Sequence, residues 1–124
     1  MVRLLLAISW LIIISFAMLT PGNKFPEIHY FSFQDKFIHL LCFAGLSFIW
    51  CGVGLIRSEL PKGQNRLIIN FIIFGLASGI ALEFAQKFIP YRTFDLMDMI
   101  INEIGGILGL IGYFKIPTTL LHLD

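Results

Sequence analysis

The sequence predicts an all-α membrane protein: a bundle of four transmembrane helices with short loops, both termini on the cytoplasmic side. Three observations carry this. Of 124 residues, 57% are hydrophobic and only 14% charged, against about 25% charged in soluble domains. Mean hydropathy is +0.85. Four apolar runs, at about 4–19, 37–56, 67–89 and 96–114, approach the roughly 20 residues that cross a bilayer as a helix. The connections between them hold most of the Pro and charged residues. No length remains for a soluble domain, so 1–124 reads as one transmembrane domain.

The first run, Leu4 to Leu19, is broken only by Ser9 and Ser15 and ends at the helix breaker Pro21-Gly22. It has the outline of a signal peptide, with Ser15-Phe16-Ala17 as a small-x-small site. The apolar run continues past that site, which favours a retained span. Residues 23–34 are polar and aromatic, and Tyr30 with its Phe neighbours suits the headgroup level. The second run starts after Asp35 and reaches Ile56. Arg57 to Arg66, with Pro61 and Gly63, reads as a loop. Pro90 ends the third run and holds Ile89 extended. The fourth closes at Ile116-Pro117.

Arg3, Arg57, Lys62, Arg66 and Lys115 fall on the side of the N-terminus, and Lys24, Lys36, Lys87 and Arg92 on the other. Three of those four lie among polar residues that could pair with them. The positive-inside rule therefore places both ends in the cytoplasm. A net charge of +1 gives no footprint for nucleic acid. Cys42 and Cys51 are nine residues apart on one helix, about 13 Å, too far for a disulfide.

With four crossings, every unusual polar residue falls near one membrane face. Asp35, Lys36 and His39 open the second run, and Glu83, Gln86 and Lys87 close the third. Arg92 lies in the turn, and Asp98, Asn102 and Glu103 open the fourth. Asp35/His39 and Asp98/Asn102 are spaced four apart and Glu83/Gln86 three apart, so each pair shares a helix face. Ionised groups in hydrocarbon are costly unless paired, which makes this a binding or functional site by default. Glu83, about two turns inside a span, needs His39, Lys36 or Arg92 as partner. Lys87 is expected to reach outward, as is Glu103 if it faces lipid. Simpler roles exist for several of these groups. Asp35, Asp95 and Asp98 suit helix N-termini, His39 suits a hydrogen-bonded packing position, and Gln86 and Asn102 suit interhelical hydrogen bonding. Gly105-x-x-x-Gly109 permits close helix approach, within the chain or with a second copy.

These residues resemble a known family. Thr20-Pro21, Asp35-Lys36-x-x-His39, Glu83-x-x-Gln86-x-x-x-Pro90-x-Arg92 and Asp98-x-x-x-Asn102-x-x-Gly105-x-x-x-Gly109 are similar to the pattern of VanZ-like membrane proteins. Glu103 departs from it, since a small or neutral residue is expected there. The resemblance implies an integral protein of the bacterial cytoplasmic membrane. It also implies a link to low-level resistance to the glycopeptide teicoplanin, without supplying a biochemical activity.

Three functions suit the constellation. One is binding of a polar headgroup, envelope precursor or glycopeptide at the outer face, through Asp35, Lys36, His39, Glu83, Gln86, Arg92, Asp98 and Asn102. In this reading Lys36 and Arg92 hold an anionic group. A second is acid–base or metal-assisted hydrolysis or transfer on a lipid-linked substrate, with His39, Glu83 and Asp98 as catalytic candidates or metal ligands. The third is structural, the polar groups locking helix packing or a partner interface. No H-E-x-x-H, G-x-S-x-G, P-loop or dinucleotide motif is present, and no cofactor is expected.

Overall fold

The computed structural model describes residues 2–20, 34–54, 60–90 and 94–116, apart from the side chains of 34, 35 and 60–63. Every regular element among them is helical: α1 (Val2–Leu19), α2 (Gln34–Cys51), α3 (Leu60–Asn70), a π-helical segment (Phe71–Ala77), α4 (Ser78–Gln86) and α5 (Leu96–Lys115). Three stretches are long and apolar enough to cross a membrane: Val2–Leu19, Gln64–Gln86 and Leu96–Lys115. Lys36–Cys51 is a shorter apolar helix. The outer surface is compatible with a lipid bilayer. Phe16 is 74% exposed, Ile12 62% and Leu96 61%, and such an apolar surface suits lipid rather than water.

Helix ends differ from the sequence reading at three places, each with a local cause. The run 37–56 is helical only to Cys51. A turn follows in which Val53 N–H donates to the Trp50 carbonyl at 3.1 Å, and Gly54 adopts φ +74°, a conformation open to glycine. The segment read as a loop to Arg66 is helical from Leu60. Pro61 sits in its first turn, where a missing N–H breaks no intrahelical bond. After Gln86, Lys87, Phe88 and Ile89 N–H groups bond three residues back, tightening the end before Pro90.

α2 and α5 form the main interface, and glycine makes it close. A Cβ on Gly105 would stand 2.6 Å from the Leu40 carbonyl oxygen, and one on Gly109 would collide with the Ala44 carbonyl. Gly106 meets the Gly75 carbonyl of the π segment in the same way. This corrects one expectation. The Gly105/Gly109 face is consumed within the chain, so it is not the surface through which a homo-oligomer would form. Around this seam, Phe43, Leu46, Ala7, Ile14 and Trp50 form the core, and Trp50 stacks on Phe74 with centroids 3.6 Å apart.

Side-chain ties fix the helix directions. Arg3, at the start of α1, is buried and donates from Nη1 to the Phe48 and Ile49 carbonyls at 3.2 and 3.1 Å, at the end of α2. Its guanidinium also lies over the rings of Phe48 and Tyr113. At the other end of α1, Gln86 Nε2 donates to the Met18 carbonyl at 3.0 Å. Hence α1 runs antiparallel to α2 and alongside α4, with the starts of α2 and α5 near the Gln86 end.

Candidate functional site

At that end, polar side chains converge from three elements. Asp95 caps α5, accepting from Met97 N–H at 2.9 Å, as the sequence allowed. That bond, reinforced by Lys36, holds its carboxyl below the ordinary carboxylate value. Lys36 Nζ, in the first turns of α2, bonds Asp98 Oδ1 at 2.9 Å and Asp95 Oδ2 at 3.3 Å. Exposure falls along α5, from 44% for the Asp95 side chain to 17% for Asp98 and 0% for Asn102. The decline gives the site a wet mouth and a dry floor.

The floor is an oriented relay. Asn102 Nδ2 donates to the Gly79 carbonyl at 3.3 Å, and since that oxygen can only accept, the amide orientation is set. Asn102 Oδ1 then faces His39 Nδ1 at 2.8 Å. An amide oxygen also only accepts, so Nδ1 carries the proton, and in the neutral ring Nε2 keeps a lone pair.

Glu83 is fully buried. Its Oε1 accepts from the Asp95 N–H at 3.2 Å, while Oε2 has no hydrogen-bond partner among the described residues. The expected ion pair with Lys36 is not formed, because Lys36 is engaged with Asp95 and Asp98. Donor atoms of His39, Glu83 and Asp98 all lie within 4.8 Å of one another.

Lys36, His39, Glu83, Asp98 and Asn102 are thus brought together. Gln86 is buried too, but its amide nitrogen is engaged with α1. The Asp35 side chain and Arg92 lie outside the described residues. Lys87 is exposed, with its ammonium 5.7 Å from the Phe84 ring centre. Glu103, expected to reach outward only if it faces lipid, does not do so. Its Oε1 is buried without a hydrogen-bond partner among the described residues, close to where a Cβ on Gly79 would lie. The sequence reading missed the second acceptor for Lys36, Asp95, although its place three residues before Asp98 was a usable signal. It also missed the Gly79 carbonyl, whose one hint is that Gly79 lies a helical turn before Glu83.

Comparison with known proteins completes the picture. Over 78 residues the chain is 31% identical to an uncharacterized protein of Schizosaccharomyces pombe, covering 63% of this chain and 45% of that protein. The chain therefore matches less than half of that relative's length. No solved structure matches. The family model described as VanZ/LLP1 matches residues 3–120, nearly the whole chain and every polar residue of the site, and the protein belongs to that family.

Proposed function

We propose that this protein crosses the membrane four times and binds the polar headgroup of a lipid or lipid-linked envelope precursor in the site formed by α2, α4 and α5. The observation that supports the reading best is the buried Glu83 carboxylate, with one oxygen unpartnered among the described residues, inside an otherwise apolar helix. A charged group so placed is costly unless something occupies the site with it. Lys36, Asp95 and Asp98 form the mouth, where a headgroup enters from the membrane surface. Asn102 and His39 form a floor whose donors and acceptors are already oriented. Positive-inside orientation puts this mouth on the outer side of a bacterial cytoplasmic membrane. A glycopeptide of the teicoplanin type is a further ligand that the family resemblance suggests.

The test is purification of wild-type protein beside His39→Ala, Glu83→Gln and Asp98→Asn, with mass spectrometry of co-purifying lipid. Folded variants that lose one lipid class bound by the wild type are the expected result. Equal lipid content in all four folded samples would overturn the reading.

A further inference from the structure

The described charges of the site do not balance. One ammonium, Lys36, faces three carboxylates, Glu83, Asp95 and Asp98, and is already shared between Asp95 and Asp98. A site of this composition is poorly suited to an anionic headgroup by itself, because the carboxylates repel it. It is well suited to a cation.

We infer that His39, Glu83 and Asp98 bind one divalent transition-metal ion, Zn²⁺ or Mn²⁺, through His39 Nε2, Glu83 Oε2 and an Asp98 carboxylate oxygen. Three features of different kinds support it. The donor atoms of these residues lie within 4.8 Å of one another although they come from three different helices. Glu83 is 0% exposed and Oε2 has no hydrogen-bond partner among the described residues, so one oxygen of a cluster carboxylate is buried and unsatisfied. The third feature is the relay behind the ring. Gly79 fixes Asn102, and Asn102 Oδ1 accepts the hydrogen bond of His39 Nδ1–H, which leaves the Nε2 lone pair free for a metal. A metal-binding histidine is held in this manner, its other ring N–H donating to an oxygen that fixes tautomer and angle.

The donor set selects the ion class. One imidazole nitrogen with two carboxylate oxygens suits Zn²⁺ or Mn²⁺ better than Ca²⁺, which takes six to eight oxygens. Zinc bonds of about 2.0–2.2 Å place neighbouring ligands about 3.4 Å apart. Metal entry therefore draws the three donors inward from their 4.8 Å spread. Three protein ligands leave a coordination position open towards the mouth, where a phosphate oxygen of a headgroup would bind. Only this last step rests on the headgroup reading; the metal site itself does not.

The experiment uses the full chain in detergent at pH 7. Zn²⁺ and Mn²⁺ are each equilibrated with wild type, Glu83→Gln, Asp98→Asn and Asn102→Ala, and bound metal is quantified by elemental mass spectrometry. Circular dichroism checks folding. Expected is one metal per wild-type chain, at least tenfold weaker binding in the two carboxylate variants, and about 10- to 100-fold weaker binding in Asn102→Ala. The melting temperature of wild type should rise with metal and that of Asp98→Asn should not, a comparison that survives if Glu83→Gln fails to fold. Folded wild type without stoichiometric metal, or variants that bind as tightly, would overturn the inference. Phosphatidylglycerol retention with and without chelator separates the two readings. Retention lost on chelation supports both. Metal bound without retention keeps the metal site and removes the headgroup. Retention that is indifferent to chelator keeps the headgroup and removes the contact between its phosphate and the metal, while absence of stoichiometric metal removes the metal site.

Discussion

The residues that matter most are those whose chemistry contradicts their surroundings. Asn102 is fully buried and holds two partners, the Gly79 carbonyl and His39 Nδ1. Interhelical hydrogen bonds in membranes average about 0.6 kcal/mol each, so Asn102→Ala should cost about 1 kcal/mol of stability. Unfolding of wild type and variant by SDS in mixed micelles measures it. At this scale the sequence was informative, because Lys36, His39, Glu83, Asp98 and Asn102 stand out against an apolar background. Groups that carry no side-chain signal were not legible. The Met18 and Gly79 carbonyls and the Asp95 N–H each complete a bond in or near the site, yet every residue has such groups. The place of Glu103 stays open in the sequence for a related reason: a carboxylate next to Asn102 points along a different helix face, and only packing shows that its Oε1 meets Gly79.

At the scale of the element, α5 divides into positions that tolerate bulk and positions that do not. A Cβ on Gly106 would collide with the Gly75 backbone, whereas one on Gly112 would meet Phe48 at an ordinary 3.6 Å. Gly106→Ala should therefore destabilise by about 1–3 kcal/mol, and Gly112→Ala should lie within about 0.5 kcal/mol of wild type. The same SDS titration reads both. The apolar runs announced the helices, but they could not announce the π segment. Phe71 to Ala77 is uniformly apolar, and a shift from four-residue to five-residue hydrogen bonding leaves no trace in such a stretch. The helical start at Leu60 was obscured by Pro61 and Gly63, which mark loops in general and are tolerated where a helix begins.

At the scale of the whole molecule, the two ends are built from opposite materials. One is tied by Arg3 to backbone carbonyls and aromatic rings; the other gathers carboxylates around an imidazole. In the proposed four-crossing topology these ends lie on opposite sides of the membrane. In a background lacking Cys42 and Cys51, a cysteine at Gln64 should be shielded from an impermeant thiol reagent in intact cells, and one at Lys87 labelled. The reverse pattern would place the polar site in the cytoplasm. Between the two ends lies the π segment, and it has a consequence for how length changes would be felt. Its wider turns accommodate an additional residue, much as a bookbinder's extra leaf shifts every later page. Removing Ile72 would let the stretch relax to ordinary helix, because six residues at about 100° each turn through nearly the angle that seven wider steps cover now, so α3 would stay almost in phase with α4. Glu83 and Gly79 would keep their neighbours, Leu67 its place in the cluster with Tyr113 and Asn70 its bond to the Val53 carbonyl. A single-codon deletion there should therefore be tolerated, whereas loss of one residue from α4, which has no such slack, should turn its two halves by about 100° against each other and part Glu83 from its neighbours.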